Sequence, residues 1–331
     1  EAFRENQTAF KYDAQDIVYA GVRNLCDSAI KYLERTDLNP GAVRLAVGDY
    51  VYNGDVAKWK KFVYGVLARN YNNLANKNDY NPAKVIEYVD KAMASGADDF
   101  LIPFDATKTE DANFFGPFRD NLTNFRQSNW IVKLLDGTTL AGNCDSDNPH
   151  QRILHMVSMS QDTTNGNAGY RGVNPAEGDL GATRTRVANP WGDSIYVNPR
   201  TVGVFIPNLG KYLFKDKVVA PIMTYSEMQF IKAEAALRMD NRALALEAYR
   251  NGISAHFDFI NRTSYPRGNN TIFNGAPIPA NQKTGYMNNT ALVKNDPAEL
   301  TMTDIMLQKY IALWGWGFVE TWTDMRKFHY T

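Results

Sequence analysis

Two helical hairpins, one in each half of the sequence, restrict the fold of this 331-residue chain more than any other feature. In the first, apolar residues recur every three or four positions from Asp55 to Leu74 and again after Asn81-Pro82, a pair that can cap and start a helix. The polar loop between the two runs, residues 76–81, is short enough to return the chain antiparallel. An earlier helix is predicted for residues 13–34, with Asp13 as its cap.

The second hairpin comprises residues 224–257, in which a turn at residues 239–242 separates two apolar-periodic runs. Three residues match small, small and aromatic positions of the tetratricopeptide pattern, namely Ala233, Ala245 and Tyr249. Gln229 stands where that pattern has tryptophan, so the match is partial. Because small residues let two helices cross closely, we predict an all-α protein built from tetratricopeptide-like helical hairpins.

A large loop-rich insertion is predicted between residues 97 and 222, where glycine, proline, asparagine and aspartate interrupt short apolar runs. Long irregular segments within a helical framework are commonly functional, and the aromatic residues of this one favour an ordered structure. A second irregular stretch is predicted for residues 261–297, and a single closing helix for residues 303–327. We therefore expect one domain in three parts: hairpins over 1–96, the insertion over 97–222, and a hairpin, long loop and final helix over 223–331.

Charge and hydropathy exclude several classes of function. The sequence has 36 basic residues (lysine and arginine) and 36 acidic residues (aspartate and glutamate), so its net charge is zero. It therefore lacks the excess of basic residues that is typical of nucleic-acid-binding proteins. No apolar run approaches the roughly 18 residues that a membrane-spanning helix requires. The only two cysteines, Cys26 and Cys144, cannot form a disulfide scaffold or a multi-thiolate zinc site. Neither a nucleic-acid partner nor a transmembrane segment is expected.

Catalytic and metal-binding motifs are not apparent in the sequence. His150 and His155 are five residues apart, which on a helix places them on different faces, and the acidic loop at residues 143–148 lacks the glycine and terminal glutamate of a calcium loop. Paired carboxylates such as Asp98 and Asp99 are compatible with a glycosidase, but the pattern is unspecific. The chain is predicted to be a non-enzyme with no cofactor and no metal site.

Aromatic residues in the insertion suggest the ligand. Sugar rings offer apolar faces that stack on tryptophan and tyrosine, while their hydroxyl groups need asparagine, aspartate or arginine partners. Each such aromatic residue alone is more often a loop anchor, but together with neighbouring polar residues they form a candidate glycan site: Trp130, Tyr170, Arg171, Asn174, Trp191, Tyr196 and Asn198. Three further tryptophans lie in helical stripes and are interpreted as core residues: Trp59, Trp314 and Trp322.

Three segments spread along the chain resemble the SusD/RagB family of nutrient-binding outer-membrane lipoproteins of Bacteroidetes. They are GDYVYNGDVAKWKKF at residues 48–62, MTYSEMQFIKAEAA at residues 223–236, and LQKYIALW at residues 307–314, which leads into ETWTDMRK at residues 320–327. Their order along the chain is that of the family. None of the three carries the family's ligand-binding positions, so no site residue is transferred from the resemblance.

The resemblance implies an α-α superhelix that packs on a SusC-like, TonB-dependent transporter. Such a protein captures oligosaccharides, or in some members peptides, at the cell surface and catalyses no reaction. Family members begin with a lipidated cysteine, and Glu1 resembles a point well inside such a chain, so attachment to the outer membrane is expected through an N-terminal lipid outside this sequence. The alternatives are a peptide-binding member of the family, a non-catalytic helical-repeat scaffold for protein partners, and a glycosidase.

Overall fold

The chain folds as helical hairpins with one small sheet. A computed structural model describes residues 12–37, 44–140, 151–160, 169–179, 181, 185–191, 210–263 and 277–328. Within these ranges the helices and strands are, in chain order, α1 (Gln15–Leu33), α2 (Val56–Asn72), α3 (Pro82–Lys91), β1 (Phe100–Phe104), α4 (Asn129–Leu135), α5 (Gln151–Met156), β2 (Val218–Met223), α6 (Tyr225–Arg238), α7 (Arg242–Thr263), α8 (Ala280–Asn288), α9 (Met302–Leu313) and α10 (Phe318–Phe328). The predicted helical fold class is confirmed.

The first three helices pack in sequence, α1 on α2 and α2 on α3, and the α2–α3 pair is the predicted first hairpin. The side chains of Asp55 and Asn81 each accept the backbone N–H three residues on, at 3.1 Å, which satisfies donors that the first helical turn leaves free. By contrast, α1 starts after Ala14 and no side chain caps it. The predicted cap at Asp13 is therefore wrong.

A glycine lets α6 and α7 pack closely in the second hairpin. A Cβ atom built on Gly252 would lie 2.9 Å from the ring of Phe230, so only glycine admits this approach without displacement of the ring. The three residues that matched the tetratricopeptide pattern are almost wholly buried: Ala233, Ala245 and Tyr249. This hairpin lies in the largest apolar cluster, which also includes side chains of α4, α5 and α9. The second predicted hairpin is confirmed.

Strands β1 and β2 pair antiparallel and bring the two ends of the loop-rich insertion together. Phe104, the last residue of β1, is opposite Val218, the first residue of β2. Beyond the strands, the Asn113 amide donates to the carbonyl oxygens of Leu213 and Lys215 at 2.7 and 2.8 Å, which extends the connection. The sequence analysis did not predict this sheet. Because β2 leads directly into α6, the insertion rejoins the helical framework at this sheet.

The closing segment consists of two helices, α9 and α10, so the predicted single helix over residues 303–327 is wrong. Gly315 lies between them with φ of +88°, a left-handed conformation that ends a right-handed helix and that glycine adopts without strain. The Trp314 ring stacks on Tyr212 with ring centroids 6.0 Å apart, which fixes the position of the break. The predicted irregular stretch over residues 261–297 also contains a helix, α8.

A buried ionic cluster joins α9 and α10 to α6. The Lys309 ammonium lies 2.7 Å from the Asp324 carboxylate, and the Lys327 ammonium lies 3.0 Å from both Asp324 and Glu234. Burial by itself would raise the pKa of Asp324, but the two lysines outweigh it and the pKa is lowered. Asp324 is therefore ionised at neutral pH and its charge is balanced within the protein.

Candidate functional site

A polar cavity of about 500 Å³, here called the polar pocket, lies beside α4. Its size is typical of small-ligand sites. One wall is α4 with the turn that follows it, and the other is formed by residues 170–174, 177–179, 181, 185 and 187. The polar side chains of the lining are Asn129, Lys133, Asp136, Thr138, Tyr170, Arg171, Asn174, Glu177, Asp179 and Thr185.

A buried glutamine joins the two walls of the polar pocket. Gln127 is 2% exposed, and its Nε2 donates to the backbone carbonyls of Ser158 and Arg171 at 2.8 and 2.7 Å. Its Oε1 accepts a hydrogen bond from the Ser158 backbone N–H at 2.8 Å, so the side-chain amide is both a donor and an acceptor. The backbones also exchange hydrogen bonds, since Val173 donates to Gln127 and Asn129 donates to Val173, both at 2.9 Å. These contacts fix the backbone beside Arg171.

Gly172 allows the two walls to approach this closely. A Cβ atom at this position would lie 2.3 Å from the backbone nitrogen of Asn129 and 2.4 Å from its Cα. Backbone atoms cannot withdraw as the end of a flexible side chain can, so glycine is required here. The close approach brings Asn174 within reach of Asn129.

A chain of hydrogen bonds runs along the mouth of the polar pocket. Asn129 Nδ2 donates to Asn174 Oδ1 at 2.9 Å, and Asn174 Nδ2 donates to Glu177 Oε2 at 2.8 Å. Each amide can form further hydrogen bonds, because an asparagine side chain has two donors and two acceptor lone pairs. Arg171 Nη1 donates to the Ser160 hydroxyl, which holds the guanidinium in one orientation. The pocket thus presents both donors and acceptors in fixed positions.

Charges of both signs line the polar pocket. Lys133 is exposed at its rim, and Arg171 is partly buried. On the acidic side, Asp179 accepts the backbone N–H groups of Gly181 and Val187 at 3.1 to 3.3 Å, so its carboxylate stabilises the wall itself. A lining with mixed charges and many amide and hydroxyl groups suits an uncharged, hydroxyl-rich ligand, whose groups both donate and accept.

The structure brings together three of the seven predicted site residues, Tyr170, Arg171 and Asn174, in the polar pocket. Trp191 is fully buried, so in this structure its ring offers no face to a ligand. Tyr196 and Asn198 lie outside the described residues. The sequence analysis missed the α4 contribution to this pocket, although the adjacent Asn-Trp pair at residues 129–130 was a signal for it.

Trp130 lines a second cavity, of about 550 Å³, here called the aromatic groove. Its side chain is 45% exposed. The groove lies between α4 and the two closing helices, and its lining is Trp130, Thr303, Met306, Leu307, Tyr310, Thr321, Asp324 and Met325. Apolar side chains predominate, in contrast to the polar pocket.

The three tryptophans that the sequence analysis assigned to the core divide between core and surface. Trp59 and Trp314 are partly buried and pack against apolar clusters, as predicted. Trp322 on α10 is 59% exposed, so its prediction as a core residue is wrong. The helical period places it beside Phe318 and Met325, which are exposed as well. A repeating apolar pattern identifies a helix face but does not show whether another element covers it.

The carboxylates considered for a glycosidase take part in contacts of the fold. Asp98 accepts the Lys61 ammonium at 2.8 Å, and Asp99 accepts the Tyr225 backbone N–H at 2.6 Å together with the Arg262 guanidinium. No cluster of three or more histidine, cysteine, aspartate or glutamate side chains able to hold a metal occurs in the part of the chain that the structure describes. Nor is any described helix long and apolar enough to cross a membrane.

Comparison with known families gives one match over the whole length. A family model described as SusD-like, starch-binding and associating with the outer membrane, matches residues 1–331. A search of curated proteins finds no match.

Solved structures with the same fold come from Bacteroidetes. A SusD/RagB family protein from Bacteroides thetaiotaomicron VPI-5482 is 23% identical with a TM-score of 0.65, over 97% of this chain and 63% of its own. A SusD homolog from Bacteroides fragilis NCTC 9343 is 18% identical with a TM-score of 0.66, over 97% of this chain and 64% of its own. A chitin-binding SusD homolog from Flavobacterium johnsoniae is 20% identical with a TM-score of 0.65, over 99% of this chain and 63% of its own.

These structural relatives share the fold, and the chain spans less than two thirds of the length of each. The family model, in contrast, covers every residue of the chain, including the three segments that suggested the resemblance. The chain belongs to the SusD-like family, whose members are described as starch-binding and associated with the outer membrane.

Proposed function

We propose that this protein captures an oligosaccharide in the polar pocket at the cell surface and delivers it to a SusC-like, TonB-dependent transporter in the outer membrane. The observation that carries the proposal is the fixed row of hydrogen-bonding groups Asn129, Asn174 and Glu177 beside Arg171. Sugar hydroxyls donate and accept at once, and such a row can satisfy both roles. Membership in the SusD-like family supports the same ligand class.

Binding without catalysis is part of the proposal. Each carboxylate of the pocket lining accepts a hydrogen bond from the protein: Asp179 from backbone N–H groups, Glu177 from the Asn174 amide and Asp136 from the Thr138 N–H. Asp98 and Asp99 are held by cations elsewhere in the fold. A glycosidase needs one carboxyl group as an acid and another as a base or nucleophile, free to face the substrate. Capture and release of an intact glycan agrees better with this arrangement. Two expectations from the sequence remain predictions. One is attachment to the cell surface by an N-terminal lipid, and the other is the division of the chain into three parts with boundaries after residues 96 and 222.

Calorimetric titration tests the ligand class. The folded chain is titrated with starch fragments, chitin fragments and other neutral oligosaccharides, with a protein digest as a parallel series. We expect one glycan class to bind and no reducing ends to appear. Binding of the digest alone would favour the peptide-binding alternative, and the absence of binding to any ligand of the panel would favour the scaffold for protein partners. Either result would overturn the proposal.

Two substitutions test the location of the site. Asn174→Ala removes the central amide of the row, and Arg171→Ala removes the adjacent guanidinium. Since a hydrogen bond contributes about 1 kcal/mol, each should weaken glycan binding about fivefold or more. Asn121→Ala is the matched control, because Asn121 is an exposed asparagine outside the pocket that bonds only the Phe114 carbonyl. Equal affinities for all three variants and the wild type would place the glycan elsewhere.

A further inference from the structure

The short helix α4 separates the polar pocket from the aromatic groove. Asn129 lines the pocket, and Trp130, the next residue, lines the groove. Successive residues on an α-helix are about 100° apart around the axis. Lys133 follows Asn129 by one turn and is exposed, so it lies on the helix surface between the two cavities. A ligand that extends from one cavity to the other would therefore cross α4 at Lys133.

The aromatic groove has the composition of a sugar-stacking site. Nearly half of the Trp130 side chain is exposed, and the apolar groups around it are Met306, Leu307, Tyr310 and Met325. The hydroxyl groups of Thr303 and Thr321 also line the groove. Pyranose rings have apolar faces and hydroxyl-bearing edges, so a flat indole with nearby hydroxyls fits them.

The groove also requires an uncharged occupant. Asp324 is the only charged group of its lining among the described residues, and both of its carboxylate oxygens are taken, one by Lys309 at 2.7 Å and the other by Lys327 at 3.0 Å. A cationic ligand would find no free counter-charge there, and an anionic one would meet an apolar wall. A neutral ligand chain needs no counter-charge and can place apolar ring faces against the apolar wall. If the chain also carries hydroxyl groups, it can cross the helix between the two cavities.

We infer that the aromatic groove is a second subsite for the same oligosaccharide, which therefore binds as an extended chain across α4. The inference rests on the proposed function of the polar pocket. On a helix about 11 Å wide with its side chains, the 100° arc from Asn129 to Trp130 is roughly 10 Å long, about two pyranose units. The protein thus selects chains of about three units or more, with one unit in the pocket and the last on Trp130.

A chain-length series tests this inference. Affinities for two to six units of the glycan that the wild type binds are measured calorimetrically for the wild type, Trp130→Ala, Trp130→Leu and Trp322→Ala. Trp322 is the matched control, since it is an exposed tryptophan outside both cavities. Melting curves by circular dichroism establish that each variant is folded.

The expected result is a wild-type affinity that rises by roughly five- to tenfold between two and four units and then levels off. Both Trp130 variants should lose this rise and keep the affinity for two units, because leucine supplies apolar area but no flat face. Trp322→Ala should match the wild type. An unchanged rise in Trp130→Ala, or a full rise in Trp130→Leu, would overturn the second subsite and leave the proposed function intact. The proposed function itself fails if the wild type binds no glycan, or if Asn174→Ala and Arg171→Ala bind like the wild type.

Discussion

Replacement of Gln127 by alanine tests whether the polar pocket is held together as described. The substitution removes three hydrogen bonds, to the Ser158 carbonyl, the Ser158 N–H and the Arg171 carbonyl, in a region where the side chain is 2% exposed. Each buried bond contributes about 1 kcal/mol, and the backbone groups left behind have limited access to water. The free energy of unfolding should therefore fall by about 3 kcal/mol.

Urea denaturation followed by circular dichroism measures this change. Gln282→Ala is the matched control, because Gln282 is an exposed glutamine on α8 and its loss should change the free energy of unfolding by less than about 0.5 kcal/mol. Gln127→Ala should also weaken glycan binding under conditions where it is folded, since its partner carbonyl belongs to Arg171. If the two variants have equal stability within about 0.5 kcal/mol, Gln127 does not hold the walls together and the account of the pocket is refuted.

Three further predictions concern the stability of the fold. Gly172→Ala should destabilise the protein by about 2 kcal/mol or more in urea denaturation, because its Cβ would meet the backbone of Asn129; a neutral effect would contradict the close approach. Arg69→Met should lower the free energy of unfolding by about 3 kcal/mol in the same assay, because the fully buried Glu227 carboxylate loses the guanidinium that donates to it at 2.8 Å. An equally stable variant would count against this ion pair. Burial lowers the pKa of His155 to about 3, below the ordinary value of 6.5, so the unfolded chain binds the extra proton; the contribution of His155 to stability should therefore be constant above about pH 7 and fall by about 2 kcal/mol at pH 5. His155→Gln should remove that part of the pH dependence, and an identical profile would refute the assignment.

The helical framework was predictable because its signals are local. The apolar period of α2, the proline and asparagine at the start of α3, and the small residues where α6 and α7 cross all act within one hairpin. Such signals depend on residues a few positions apart, so one sequence is sufficient to recognise them. The break at Gly315 was missed because glycine is tolerated inside a helical pattern, and the contacts of Trp314 with the distant Tyr212 and Phe214 are not visible in the sequence.

The site was predictable only in part, because contacts between distant segments create it. Tyr170, Arg171 and Asn174 were identified by composition, but their pairing with Asn129 depends on the backbone exchange around Gln127. Loop tryptophans carry no periodic signal for burial. As a result, the sequence did not distinguish a fully buried ring from the half-exposed Trp130 that lines a separate groove.

The pairing of β1 with β2 holds the two ends of the loop-rich insertion side by side, and side chains of α4 and α5 attach its interior to the largest apolar cluster. Residues 105–217 leave the helical framework after Phe104 and return to it at Val218, the residue opposite. The entropy lost on closing a loop grows only slowly with its length, so the closure itself sets little limit on how many residues lie between the strands. Specificity and scaffold are nevertheless coupled through α4 and α5: a relative that exchanged this whole segment for another would also have to replace their side chains in the largest apolar cluster.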